Sequence, residues 1–195
     1  MKKELETWVE LGCISRKPRS NARNIIDCRW VLKWKLDADT QDAASAAKAE
    51  KRWVIRARLC LRGFKDIDAK DIAKYAGTAN RTTQRLIVSE AALRRWPLGT
   101  TDISKAFLQG VTYEELSKLT GEPLREVNFY LPPYCVDILK TIPGWEGFNP
   151  KTEVIHCDKP GTGCNDAPRC FSLKLAKVTR ACGLVPSTTD PELCM

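Results

Sequence analysis

Arg56, Arg58 and Arg62 are the residues whose type and spacing most suggest chemistry. Side chains two apart on an extended strand point the same way, so these guanidinium groups could grip successive phosphates. Lys33 and Lys35 repeat the spacing earlier in the chain. The plainer reading of both is a solvated charged face on a half-exposed hairpin. Asp102 is the second candidate, flanked by Thr101 and Ile103 and followed by Ala106-Phe107-Leu108. A carboxylate at the end of a short strand can serve as a hard oxygen ligand for Mg²⁺. Isolated aspartates are more often turn formers or helix caps. The nucleophile templates are absent: there is no Gly-x-Ser-x-Gly, no Gly-x-x-x-x-Gly-Lys phosphate loop, and His156 is the sole histidine. Gly161-Thr162-Gly163 reads as a turn before a helix. The nine cysteines include no Cys-x-x-Cys pair, so they read as reduced, small core residues and not as a zinc site.

The elements that must carry these residues follow from periodicity. From Cys28 to Leu36, Cys28, Trp30, Leu32, Trp34 and Leu36 share one face, and Arg29, Val31, Lys33 and Lys35 share the other. Residues 53–62 alternate in the same way, with Trp53, Ile55, Ala57, Leu59 and Leu61 opposite Val54, Arg56, Arg58, Cys60 and Arg62. Period two predicts two strands, most simply an antiparallel ribbon with its apolar side on a core and its other side lined by cations. The Ala-rich stretch 37–50 predicts an insertion at the ribbon tip without chemistry.

Helical character opens the chain over Glu4 to Leu11, and a basic loop is expected from Arg16 to Arg23. A helix capped by Thr82 or Thr83 is expected to run to about Arg95. Thr100 to Ile103 predicts a short strand, Thr112 to Leu119 a short helix, and Val127 to Leu131 a strand stopped by Pro132-Pro133. Another brief strand is expected at Val154 to Cys157. Asn165 or Asp166 then caps a final helix carrying Pro168 in its first turn, with Phe171, Leu175, Val178 and Cys182 as its apolar stripe and Gly183 as its stop.

The chain of 195 residues is 43% hydrophobic and 29% charged, which fits a folded globular protein and excludes a disordered one. No apolar run approaches the roughly 20 residues of a membrane span, and the opening Met1-Lys2-Lys3-Glu4 lacks a secretory pattern. An intracellular location, cytoplasm or nucleus, is the expectation. The net charge is +8, and residues 1–64 hold 15 Lys/Arg against eight Asp/Glu, a balance of +7. That asymmetry predicts a polyanionic partner, nucleic acid before membrane.

Taken in order, the motifs resemble the N-terminal part of the reverse transcriptase of copia-type long-terminal-repeat retrotransposons. Cys28-Arg29-Trp30-Val31-Leu32-Lys33-Trp34-Lys35 resembles that family's first finger strand. Arg56-Ala57-Arg58-Leu59-Cys60-Leu61-Arg62-Gly63-Phe64 resembles its returning basic strand, and Thr101-Asp102-Ile103-Ser104-Lys105-Ala106-Phe107-Leu108-Gln109-Gly110 its first palm motif. Phe129-Tyr130-Leu131-Pro132-Pro133, Asp166-Ala167-Pro168-Arg169 and Asp190-Pro191 fall in the expected order after them.

The resemblance implies an α+β right-hand polymerase with fingers and a partial palm. An N-terminal helix and loop would span 1–25, a fingers-like ribbon and helix 26–95, and a palm 96–195 that is incomplete at its C-terminus. It implies nucleotidyl transfer supported by two Mg²⁺ ions. Asp102 matches the first metal-binding aspartate, Ile103 would add a backbone carbonyl, and Phe107 would be the aromatic gate that favours deoxynucleotides. Arg56, Arg58 and Arg62 would neutralise triphosphate or template backbone. The implied partners are an RNA template, a DNA primer, deoxynucleotide triphosphates and the remainder of a Pol polyprotein. The family's Tyr-x-Asp-Asp motif is absent, and the chain is expected to stop short of it and to be inactive alone. Asn165 and Asp166 also replace the Lys and Gln often found there. Two other readings stay open: a non-catalytic nucleic-acid-binding module that leaves Asp102 idle, and a decayed transposon remnant.

Overall fold

The computed structural model describes residues 1–36 and 53–195; the insertion expected at 37–50 lies outside the described residues. Five strands form one mixed sheet: β1 (Ile14–Pro18), β2 (Ile25–Leu36), β3 (Trp53–Leu61), β4 (Asn128–Tyr130) and β5 (Glu153–Cys157), in the order β1-β5-β4-β2-β3. β2 and β4 run parallel, and the other neighbours are antiparallel. Five α-helices accompany it among the described residues: α1 (Lys2–Glu10), α2 (Arg81–Arg94), α3 (Tyr113–Thr120), α4 (Pro133–Leu139) and α5 (Ala167–Ala181). None is long and apolar enough to cross a membrane. The sheet draws strands from each of the segments 1–25, 26–95 and 96–195.

The two alternating sequences pair as their periodicity predicts. Cys28 faces Leu61, Trp30 faces Leu59, Leu32 faces Ala57, Trp34 faces Ile55 and Leu36 faces Trp53, so one apolar side is continuous across β2 and β3. Its burial is not continuous. Cys28, Leu59 and Leu61 enter the core and Trp30 packs against it, but Leu32, Trp34, Trp53 and Ile55 are exposed. The expectation that the whole apolar side lies on a core is thus corrected: β2 and β3 outrun the three-residue β4 and leave their far half uncovered.

The core gathers around the short central strands. Trp8 of α1 is fully buried and meets Phe129 of β4 edge-on at 6.0 Å between ring centroids. Ile26, Leu59, Leu139 and Ile155 surround them. Asn128 on β4 is buried yet satisfied: its side chain donates to the Arg23 carbonyl and to Glu126, and its oxygen lies 2.9 Å from His156 Nδ1. Six of the nine cysteines are buried and all nine are free.

Other boundaries move. The segment expected to be a basic loop from Arg16 begins instead inside β1, the edge strand beside β5. Pro132-Pro133 ends β4 and also begins α4, because proline is tolerated in a first helical turn. Asn80 caps α2, accepting from the Thr83 amide at 2.7 Å, and Thr112 opens α3 with a reciprocal capping box to Glu115. α2 buries only Thr83 and Ala91. Thr100 to Ile103 form no strand, and Asp102 sits in a loop.

Candidate nucleic-acid interface

The basic face of the ribbon is assembled by register. Lys33 stands directly opposite Arg56, Val31 opposite Arg58, Arg29 opposite Cys60 and Lys35 opposite Val54. Arg29, Lys33, Lys35, Arg56 and Arg58 are all exposed. None pairs with a carboxylate among the described residues. Like charges directly opposite each other across an antiparallel pair are destabilising, so the Lys33–Arg56 position costs the isolated ribbon something that a bound anion would relieve.

Arg62 belongs to the same alternation but not to the same environment. Its Nη1 lies 3.1 Å from Asp27 Oδ2, and Lys65 Nζ reaches the same oxygen at 3.1 Å. Arg62 therefore closes the root of the ribbon against β2, while Arg56 and Arg58 project from its outer part. The root is clamped by backbone as well. Leu61 donates to the Thr162 carbonyl at 2.8 Å and Gly63 to the Gly163 carbonyl at 3.2 Å. The turn expected at Gly161-Thr162-Gly163 is formed, and a Cβ at Gly163 (φ +99°) would stand 2.2 Å from the Leu61 oxygen, so only glycine fits.

The palm-motif candidates lie outside the ribbon. Asp102 and Ile103 are exposed loop residues, and Phe107 is exposed on the 3₁₀ turn Ala106–Gln109. That turn is well anchored. Leu108 is buried, Val111 donates to the Cys170 carbonyl of α5 at 3.2 Å, and Lys105 forms an ion pair with the buried Glu4 of α1. Asp102 itself makes no side-chain hydrogen bond or ion pair among the described residues. Nor does any group of three His, Cys, Asp or Glu able to hold a metal occur there. One exposed carboxylate and a neighbouring carbonyl do not amount to a two-ion site, so the described residues do not fit a pair of Mg²⁺ ions by themselves.

Sequence reading missed a buried cluster of charges among the described residues. The Arg125 side chain is buried and holds two buried carboxylates, Asp66 at 2.5 Å and Asp166 at 2.8 Å, with the more exposed Asp68 at 3.4 Å. Burial opposes the charge on Arg125, but Asp166 and Asp66 outweigh it and hold the guanidinium above its ordinary pKa. Burial pushes the Asp166 carboxyl up, against the pull of Arg125. The guanidinium also lies 5.6 Å above the Tyr113 ring. Beside this cluster is a cleft of about 350 Å³ lined by Lys17, Tyr113, Arg125, Glu126, His156 and Asp158, among others. Within it Lys17 meets Glu126 at 2.8 Å and Ser15 donates to Asp158 at 3.0 Å. Burial lowers the pKa of His156. No local pattern marks Arg125 in advance, because its partners come from distant parts of the chain.

The chain is 25% identical over 170 residues to the retrovirus-related Pol polyproteins from transposons RE2 and RE1 of Arabidopsis thaliana, covering 87% of the chain. It spans 10% of the length of these curated relatives. No family profile matches the chain, and no solved structure matches it. The similarity to the two polyproteins supports a retrotransposon Pol-related origin for the chain.

Proposed function

We propose that the chain is a nucleic-acid-binding part of a retrotransposon reverse transcriptase, with fingers and partial palm, and that the basic face of the β2–β3 ribbon holds the phosphate backbone of template or primer. The observation that carries this reading is the row of five exposed cations on one ribbon face, with Lys33 set against Arg56 and no carboxylate partner among the described residues. Long cationic side chains on a strand follow a backbone without reading sequence. Charge neutralisation releases counterions, so binding should weaken steeply with salt.

Asp102 is the residue of this chain proposed to hold Mg²⁺, with the Ile103 carbonyl beside it and Phe107 near the sugar of an incoming deoxynucleotide. Bound Mg²⁺ would offset charge on the attacking and leaving oxygens of nucleotidyl transfer. Further carboxylates would be needed beside Asp102. Its isolation among the described residues favours a second reading, in which this chain binds nucleic acid and performs no chemistry.

The test is binding of a labelled RNA–DNA hybrid across a KCl series. Arg56→Ala with Arg58→Ala should reduce the log–log salt slope by about one for each phosphate no longer neutralised. Asp102→Asn should leave that binding intact and abolish primer extension in any longer chain that carries it out. An unchanged salt slope would remove the ribbon as the binding face, and unchanged extension would remove Asp102 from the chemistry.

A further inference from the structure

Glu4 is a carboxylate in a place that disfavours charge: its side chain is 5% exposed, on the buried side of α1. One oxygen accepts from the Trp8 indole at 3.3 Å and from the Leu59 amide at 3.4 Å. Leu59 lies on β3, the outermost strand of the sheet, so its amide finds a side-chain acceptor in place of another strand. The other oxygen pairs with the ammonium of Lys105, 101 residues away in sequence. A buried carboxylate left without its cation is strongly destabilising, which holds Lys105 there. The Lys105 backbone is left-handed, at φ +55°. Residues other than glycine, asparagine and aspartate adopt that conformation at a cost, and they keep it where their surroundings over-determine it.

We propose that Lys105, gripped by Glu4, is the positioning residue of the palm-motif turn and sets Asp102 and Phe107 relative to strand β3. The inference rests on the polymerase reading above and adds to it a residue that acts through others. Residues 97–104 are exposed. The one hydrogen bond they make among the described residues, from Gln109 Nε2 to the Ser104 carbonyl at 2.7 Å, stays within the turn. Downstream, the core holds the turn: Leu108 donates to the Lys105 carbonyl at 2.9 Å, and the Cys13 thiol donates to the Leu108 carbonyl at 3.2 Å. Upstream, the ion pair to Glu4 is the last tether before Asp102. The pair therefore joins two candidate sites. Through Leu59 it reaches the strand that carries Arg56 and Arg58, and through the backbone it reaches Asp102 and Phe107. Asparagine or glycine would suit the left-handed backbone better, so what lysine supplies here is its charge.

The experiment is amide hydrogen exchange on the full chain, read at Leu108 and Gly110 with Phe129 and Ile155 of the central strands as reference. Lys105→Asn keeps a residue that tolerates the left-handed backbone and removes the charge. It should speed exchange at Leu108 and Gly110 by about tenfold or more and leave Phe129 and Ile155 within about twofold. Lys105→Arg should restore the original rates. Glu4→Gln with Lys105→Asn removes the pair without stranding a buried charge, and gives the same comparison should Lys105→Asn alone unfold. In any longer chain that extends a primer, Lys105→Asn should lower kcat about 100-fold with KM little changed, and Lys105→Arg should recover most of it. Unchanged exchange at the turn in both asparagine variants would overturn the proposal. So would equal acceleration in the central strands, or a loss that arginine does not restore, because the pair would then serve only the fold. If Asp102→Asn abolishes extension and Lys105→Asn leaves kcat as it was, only this inference falls. If Asp102→Asn leaves extension intact, the reading of Asp102 falls first, and nothing remains there for Lys105 to position.

Discussion

Arg62 and Arg56 belong to one alternating series, yet their surroundings are opposite. Arg62 shares Asp27 with Lys65 beside the buried Cys28 and Leu61. Arg56 faces Lys33, with exposed Trp34 and Ile55 as the neighbours of that pair on the ribbon's other side. The same covalent pattern thus runs from a region where charges are matched and apolar groups are covered into one where neither holds. The root and the sheet behind it hold the fold together, and the outer ribbon is left with unsatisfied binding capacity. Stability and binding should therefore respond to different substitutions.

The largest expected effect is at Arg125, on the matched side of that contrast. Arg125→Ala would strand Asp166 and leave Asp66 with only Asn24 and the Asp68 amide, each carboxylate with a side chain only 2% exposed. Breaking a buried pair by removing one partner costs about 3–5 kcal/mol. Equilibrium urea unfolding should show that loss, and a change below about 1 kcal/mol would mean that the buried cluster does not anchor the fold. On the other side, Arg56→Ala with Arg58→Ala should alter stability by no more than about 0.5 kcal/mol, because exposed side chains without partners contribute little. A substantial loss in the same urea measurement would show that the ribbon's cations support the fold and that the contrast is false.

The parts legible in the sequence are those whose signal is local. β2 and β3 declare themselves because alternation repeats within each strand, and α3 because Thr112 and Glu115 form its capping box on neighbouring turns. β1 reads Ile-Ser-Arg-Lys-Pro, a poor strand by composition. It becomes one because an edge position spares Pro18 a ladder donor on one side and gives the segment β5 to pair with. α4 is hidden by a proline pair that reads as a stop and acts also as a start. Local pattern predicts Asp102 at a strand end, but no strand pairs with Thr100 to Ile103 among the described residues. The Arg125 cluster joins a loop, the lead into β4 and the start of α5, so only the folded chain shows it. Nor can local pattern say that the ribbon's apolar side stops being covered halfway, since that depends on the length of its neighbour β4.

A further expected effect lies on the far side of the sheet and is a pH dependence. Burial alone would raise the Glu126 carboxyl, but Lys17 at 2.8 Å, the Arg23 amide at 2.9 Å and the Asn128 side chain at 2.8 Å bring it from 4.5 down to about 2. A carboxyl whose folded pKa lies below its unfolded value binds fewer protons in the native state across that interval. Its stabilising contribution is present above pH 4.5 and is lost as pH falls toward about 2. Glu126→Gln removes the titrating group, so stability measured by urea should fall near neutral pH and change little below about pH 2. The slope of stability against pH between those limits should flatten. Because Glu126 joins β1 to the lead into β4, away from the ribbon tip, nucleic-acid affinity should stay as it was. An unflattened slope would assign the acid sensitivity to other carboxylates. A change in affinity would mean that the two regions are coupled through the sheet.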